Sequence, residues 1–478
     1  MYNKKIMNYL PKTRIVCTIG PACNSPSIIE ELINAGMNVA RLNFSHGTLS
    51  SHEENIKNIR LISERLRKPV AIIQDLSGPK MRIGSLYKET ITLKANDLFT
   101  LTNKVTEGNE TVASVTYTLL PDHVSPGDTI LLCDGEIELK VVRKDSTDIL
   151  CKVIVGGELN ASKGINLPSK SLPIPSLTEK DKSDLVFGIE HDVDYVALSF
   201  VRNVDDILQL KEIIRQKNKD TPVIAKIEKH EALEHLEDII KAADAIMVAR
   251  GDLGVEIPLE KIPLIQKKII HIANRYGKPV ITATQMLESM VHNYRPTRAE
   301  VTDVANAILD GSDAVMLSEE TAKGRYPVDS VRMLSKIARE TEPGFVRKDN
   351  FETLHDQDST TTVPDAISMA TCQVAHDLNT KAIITCTQTG STARFISKYR
   401  PKQHILAVTT SFNTYRRLAL VWGVTPMITE PIQDTDDMMK KSIEAAKQAG
   451  YITEGETIVI TGGVPVWKPG STNLLRVY

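Results

Sequence analysis

The residues able to do chemistry gather near the ends of short apolar runs. Arg41, Asn43 and Ser45 fall late in VARLNFS, and Lys226 and Glu228 close VIAKIE. Thr282 and Thr284 lie in VITATQ, while Asp75, Asp252 and Ser318 end or follow VAIIQDL, AIMVARG and AVMLS. Residues two apart on a strand share one face, so each set is expected to aim one way. Asp and Glu from neighbouring strands suit Mg²⁺, a hard cation that prefers oxygen. Arg41 and Lys226 suit a phosphoryl group. Taken singly, each has a plainer explanation: a strand-end Lys–Glu pair is commonly structural, and a lone Thr commonly caps a turn. Together on one rim they describe a site for a phosphorylated, metal-bound substrate.

Two familiar motifs are missing. No GxxxxGK[ST] occurs, so nucleotide phosphates are not held by a Walker loop. His230 and His235 sit in HEALEH, and a spacing of five separates them by about 140° on a helix. They cannot form the i, i+4 zinc pair of HExxH and read as surface histidines.

Stepping outward, β-branched runs alternate with amphipathic stretches: RIVCTIG, VARLNFS, VAIIQDL, YVALSFV, VIAKIE, AIMVARG, VITATQ and AVMLS. Eight strands alternating with helices is the count of a (β/α)8 TIM barrel, although an open doubly wound sheet carries the same alternation. In a barrel, chemistry belongs at the C-terminal ends of the strands, where these residues lie. From about residue 79 to 175 the pattern changes to strict alternation broken by PG, DG and GG turns. That predicts a small all-β domain inserted after the third strand, leaving through LPSKSLPIPSL and able to swing as a lid. The polar stretch EPGFVRKDNFETLHDQDSTT marks a second boundary, followed by an open α/β domain of about five strands. The expected division is 1–78 with 176–342 for the barrel, 79–175 for the insert and 343–478 for the C-terminal domain.

The 478 residues fit about three domains of roughly 150 residues each. Lys and Arg number 58 against 60 Asp and Glu, a net charge of -2 that gives no case for nucleic acid or an anionic membrane. No apolar run approaches the ~18–20 residues of a membrane span, and no export signal is evident. Cys17, Cys23, Cys133, Cys151, Cys372 and Cys386 form no CxxC pair and are expected as buried, reduced thiols. A soluble, cytoplasmic enzyme is the expectation.

The strings TRIVCTIGPA, GMNVARLNFSHG, QDLSGPK, KIEKHEAL, MVARGDLGVEIP, TATQMLESM, PTRAEVTDVANAILDGSDAVMLSEETAKGRYPV and ISKYRPKQHILAVT resemble the pyruvate kinase family. They occur in family order across nearly the whole chain. The resemblance implies a barrel, a β-rich lid and an effector-binding α/β domain, assembled as a homotetramer. It implies phosphoryl transfer from phosphoenolpyruvate to ADP, giving pyruvate and ATP, with Mg²⁺ or Mn²⁺. Glu228 and Asp252 would hold the metal. Lys226 and Arg41 would neutralise the phosphoryl group, and Gly251, Asp252 and Thr284 would seat the substrate carboxylate. Thr284 and Ser318, through water, would carry the proton to the enolate. Asn43, His46, Arg82 and Lys163 would lie on the nucleotide side. A sensor that kept the fold and lost activity predicts decay at Lys226, Glu228, Asp252, Arg41 or Thr284, and none is altered. A lyase on the same substrate is disfavoured by the nucleotide-side residues and the lid.

Two features concern control. The turn Thr387, Gln388, Thr389, Gly390, Ser391, Thr392 precedes a helix where the family binds an effector phosphate, and free N–H groups there favour an anion. An ordinary N-cap is the plainer alternative. Trp467 and Lys468 would complete that pocket. The family's extra C-terminal phosphohistidine-like domain is not expected here. Many members read DTKGPE where this chain reads DLSGPK, and Lys80 stands where K⁺-dependent members carry Glu. The cage of Asn43, Ser45, Asp75 and the Leu76 carbonyl is present, but the exchange moves the local charge by two units. At ~4 Å and an effective dielectric of ~20 each unit charge is worth about 4 kcal/mol, which discourages a bound cation. Lys80 is expected to supply the charge that K⁺ supplies elsewhere, so that K⁺ is not required.

Overall fold

The computed structural model describes residues 11–478 apart from 169, 171, 345–361, 467–469 and 471. The eight expected barrel strands all form: Arg14–Thr18, Val39–Asn43, Ala71–Asp75, Tyr195–Leu198, Val223–Ile227, Ala245–Ala249, Val280–Ala283 and Ala314–Leu317. They pair in parallel and in sequence order, and the first meets the last to close the barrel. Such strands are buried on both faces, which is why they read as nearly unbroken apolar runs. One set of alternate residues, among them Val16, Val39, Ile73, Ile224, Met247, Ile281 and Met316, fills the interior. The other set, including Ile15, Leu42, Ile72, Leu198, Val248 and Leu317, packs against the helices outside.

Five of the barrel helices start at a side-chain cap. Ser25, Thr48, Thr178, Asn203 and Thr297 each accept a backbone N–H through the side chain. Such caps contribute about 1 kcal/mol each.

Between the third and fourth barrel strands, the described residues form a six-stranded and a two-stranded sheet around Phe99, Leu101, Ile130, Leu139, Ile149 and Val153. Two short helical turns, Leu120–His123 and the 3-10 turn Cys133–Gly135, interrupt an otherwise β-rich insert. The C-terminal part is an open five-stranded sheet among the described residues, with the last strand, Thr472–Val477, antiparallel to Val459–Gly463.

One helix is shorter than its sequence pattern. The stretch 412–422 reads as continuous helix, yet it is α-helical over Phe412–Arg417 and tightens to a 3-10 turn at Leu418–Leu420. Ala419 and Leu420 join the interior cluster of the barrel and close its lower end. Around this plug, Arg14 donates to the carbonyls of Val421 and Val424, and Arg400 pairs with Asp313 at 3.0 Å. All six cysteines are buried, and none is in a disulfide. Among the described residues, no helix is long and apolar enough to cross a membrane.

Candidate active site

The alternation that fills the barrel interior also builds its upper rim. Ile224 lies inside, so Lys226 and Glu228, of the same parity, rise from the same face at the strand end. Ala71 and Ile73 lead to Asp75 likewise, and Val39 leads to Arg41. The four meet in a buried charge network. Arg41 Nε lies 2.6 Å from Asp75 Oδ2, and Lys226 Nζ lies 3.2 Å from Asp75 Oδ1 and 2.8 Å from Glu228 Oε1. Glu228 Oε2 accepts from the Phe200 N–H at 2.8 Å.

Two residues passed over in the sequence hold this network in place. Ser199 Oγ accepts from Lys226 Nζ at 2.8 Å and donates to the Leu76 carbonyl at 2.7 Å. Thr18 Oγ1 accepts from Arg41 at 3.0 Å and donates to the Leu317 carbonyl. Both sit on the inward parity, after Tyr195–Ala197 and Val16, so the period-two rule would have named them.

Burial pushes the Lys226 pKa down, but Asp75 and Glu228 outweigh it and hold the pKa above the ordinary lysine value. Burial opposes the Asp75 charge, and Lys226 and Arg41 overcome it, so its pKa lies below the usual carboxylate range. Glu228 goes the other way: burial raises it, the nearby Asp252 charge adds to that, and Lys226 only partly offsets them. A buried carboxylate pushed up by a neighbouring carboxylate is relieved by a hard divalent cation, so Glu228 with Asp252 fits Mg²⁺. Asp252 is about one-third exposed, 3.9 Å from Lys80 Nζ.

The threonines correct a simple face argument. Thr282 shares parity with Val280 of the outer layer, and its hydroxyl bonds Ser312 at 2.7 Å outside the rim. Thr284 reaches the site by a different route. The strand stops at Ala283, and both Thr284 and Gln285 adopt left-handed backbone, φ 69° and 55°. A β-branched residue there is strained, and such strain clusters at functional sites. Arg250 fixes the turn by donating to the Thr284 carbonyl at 2.7 Å. Thr284 Oγ1 accepts from the Gly251 N–H at 2.8 Å, so the amide expected for the substrate carboxylate is engaged here. Ser318 donates its N–H to Glu320 Oε2 at 2.7 Å, and Glu320 also anchors the Leu287 N–H, a buried carboxylate that sequence reasoning missed.

Ser45 also departs from the face argument, since the strand ends at Asn43 and Ser45 lies in the following turn. Its N–H donates to Asn43 Oδ1 at 3.1 Å. Of the four cage groups, Asn43 Oδ1, the Asp75 carboxylate and the Leu76 carbonyl therefore already have protein partners. Lys80 points between barrel and insert, 3.9 Å from both Asp252 and Asp134.

Arg82 bridges to Gly164, beside Lys163, and its guanidinium donates to the Ser162 carbonyl at 2.8 Å. His46 is exposed. Partial burial, then Arg82, Arg41 and Lys80, pull its pKa below the usual value. His235 is exposed as expected, but His230 is half-buried, with Nδ1 3.2 Å from both Glu231 and Glu256. The helix they were placed on is broken at His235. Lys229 Nζ lies 2.6 Å from Glu256, which also accepts from Asn166 of the insert at 3.5 Å, so this cluster braces the base of the insert.

In the C-terminal part, Thr387, Gln388, Thr389, Ser391 and Thr392 line an open pocket of about 540 Å³ counting its mouth. Gly390, at φ 82°, is the cap residue of helix Ser391–Lys398 and supplies no side-chain cap. Its N–H donates to Thr387 Oγ1 at 2.9 Å, and Thr392 bonds Thr472 at 2.7 Å. Trp467 and Lys468 lie outside the described residues.

A closed parallel barrel whose upper rim gathers buried cations, carboxylates and a strained threonine turn is suited to an enzyme that handles a phosphorylated substrate. The family model for the pyruvate kinase barrel domain matches residues 10–331, and that for the pyruvate kinase alpha/beta domain matches 365–478. The chain belongs to the pyruvate kinase family. It is 48% identical over 470 residues to pyruvate kinase 2 of Synechocystis, covering 98% of this chain and 79% of that protein. It is 47% identical over 465 residues to a pyruvate kinase of Thermotoga maritima, covering 97% and 98%. A crystal structure of a pyruvate kinase from Cryptosporidium parvum superposes with a TM-score of 0.92 at 40% identity, covering 98% of this chain and 96% of that one.

Proposed function

We infer that the chain transfers the phosphoryl group of phosphoenolpyruvate to ADP, with Mg²⁺ and without a need for K⁺, under control of a phosphorylated metabolite. The observation that carries the reading is the fixed Lys226–Asp75–Arg41–Glu228 network at the rim. A divalent cation held by Glu228 and Asp252 would polarise substrate oxygens and offset their charge. Lys226 and Arg41, immobilised by Ser199, Thr18 and Asp75, meet the phosphoryl oxygens with positive charge that needs no reorganisation. The bridging P–O bond breaks with its electrons left on the enolate, while a terminal ADP oxygen bonds phosphorus. The enolate carbon then takes a proton along Thr284, Ser318 and water. Arg82, Lys163, Asn43 and His46 face the nucleotide.

K⁺ independence is supported by Lys80 beside Asp252 and by the pairing of the cage carboxylate Asp75 with Arg41 and Lys226. The uncapped helix start at Gly390 supports an anion in the hydroxyl-lined pocket, since an ordinary Ser or Thr cap is not what fills it. The family likeness extends the reading to a lid-like insert and a cytoplasmic homotetramer, and sedimentation of the purified chain tests the assembly. The regulatory reading is tested by turnover in a large-organic-cation buffer, with and without KCl at matched ionic strength, across a panel of sugar phosphates and nucleoside monophosphates. Activation by K⁺ of tenfold or more, or a saturation curve that no effector moves, would overturn the corresponding part.

A further inference from the structure

At the end of the barrel opposite the catalytic rim, a cleft of about 1320 Å³, counting its open mouth, separates the barrel turns from the C-terminal part. Asp244 and Lys278 line it from the turns before the sixth and seventh barrel strands. Arg394 and Phe395 of helix Ser391–Lys398, with Arg417, line it from the other side. Its charges do not balance. Asp244 is taken by Lys211 at 2.8 Å, and Asp220 at the mouth is taken by Arg417 at 2.9 Å.

Lys278 and Arg394 are left over, with no carboxylate partner among the described residues. Lys278 Nζ donates to the carbonyls of Lys241 and Ala243, and Arg394 reaches the Thr389 carbonyl at 3.4 Å. Burial first, then Lys211 and Arg394, bring the Lys278 pKa down to about 8 despite Asp244. Arg417 Nε is buried without a partner. Like charges held together in a partly buried cleft are costly, and an anion between them removes that cost. Cations of this kind favour phosphate. The cleft is far larger than a phosphate, and the Phe395 ring, which packs toward Gly277, offers a flat surface beside it.

We propose that this cleft is a second metabolite site, taking a phosphomonoester with its phosphate between Lys278 and Arg394 and its organic body along Phe395. It is separate from the hydroxyl-lined pocket but shares a wall with it: Gln388 and Thr389 line both. Thr414 Oγ1 bonds the Gln388 carbonyl at 2.7 Å from the cleft side, and Thr410 bonds its side chain at 3.0 Å from the pocket side. Ligands in the two places therefore act on one turn, and their coupling is reciprocal. That coupling, unlike the site itself, rests on the effector reading of the pocket.

The test is calorimetric titration of the full chain with ribose 5-phosphate and with AMP, Mg²⁺ and ADP being present to occupy the catalytic site. Wild type is expected to bind two phosphomonoesters per chain, and Ser391→Asp, which repels phosphate in the pocket, one. In the Ser391→Asp background, Lys278→Met and Arg394→Met should each weaken that remaining site tenfold or more. Turnover should match that of Ser391→Asp alone, which shows that both variants fold. Arg394→Met removes one long hydrogen bond, so it tests the site even where Lys278→Met disturbs the turn. Tighter binding of AMP than of ribose 5-phosphate assigns the base to Phe395, and equal binding assigns the sugar phosphate alone. The proposal is overturned when Ser391→Asp binds neither probe, or when neither cation substitution moves the remaining affinity. If Ser391→Asp keeps both sites while Lys278→Met removes one, the pocket reading fails and the cleft stands.

Discussion

Lys226→Met removes an ammonium that lies 2.8 Å from Ser199, 2.8 Å from Glu228 and 3.2 Å from Asp75. At ~4 Å and an effective dielectric of about 20, that charge is worth roughly 4 kcal/mol to a transferring phosphoryl group. At about 1.36 kcal/mol per decade, kcat should fall by about a thousandfold. The attraction grows as charge spreads over the phosphoryl oxygens, so KM for phosphoenolpyruvate should change little. The same substitution leaves Glu228 buried without its cation, whereas Asp75 keeps Arg41 at 2.6 Å. Breaking such a network costs about 3–5 kcal/mol, so thermal unfolding has to be followed beside turnover. The pH profile supplies a further check. A lysine pKa raised in the fold contributes stability in full below its unfolded value of about 10.4 and loses it as pH rises through the folded value. Between about pH 6 and about pH 9 neither wild-type stability nor its rate should show a Lys226 limb. A folded Lys226→Met enzyme with kcat within tenfold of wild type would refute the role given to the ammonium.

Glu228→Gln should move the midpoint of a Mg²⁺ titration upward by tenfold or more, about 1.4 kcal/mol, and an unmoved midpoint removes Glu228 from the ligand set. Lys80→Glu should create activation by K⁺ of at least about tenfold in an enzyme that shows none, read as initial rate in tetramethylammonium buffer with and without KCl. Equal rates in the two buffers would show that Lys80 does not substitute for the ion. Ser199→Ala frees both Lys226 and the Leu76 carbonyl, so kcat should drop by roughly tenfold at constant KM. An unchanged kcat would mean that Asp75 and Glu228 place the ammonium alone.

The barrel was legible because each strand is buried on both faces and reads as an apolar run, and because its polar end continues an interior alternation such as Ile224–Lys226–Glu228. Ser199 and Thr18 obey the same alternation, but a hydroxyl within an apolar run carries no label until its partners are known. Thr282 and Thr284 show where the rule stops, since the left-handed backbone at 284 and 285 depends on Arg250 and not on any local glycine. The approach of Lys80, at the start of the insert, to Asp252 of the barrel rim links residues far apart in the chain, which no local pattern carries. The apolar residues of Leu418–Leu420 suit either a helix end or a plug, and the open lower end of the barrel decides between them.

The most direct measurement incubates purified chain with phosphoenolpyruvate and Mg²⁺, with and without ADP, and quantifies pyruvate and ATP together. Equal amounts of the two with ADP, and neither without it, are expected of phosphoryl transfer between these substrates. Pyruvate released in the absence of ADP, or none formed in its presence, would contradict the account.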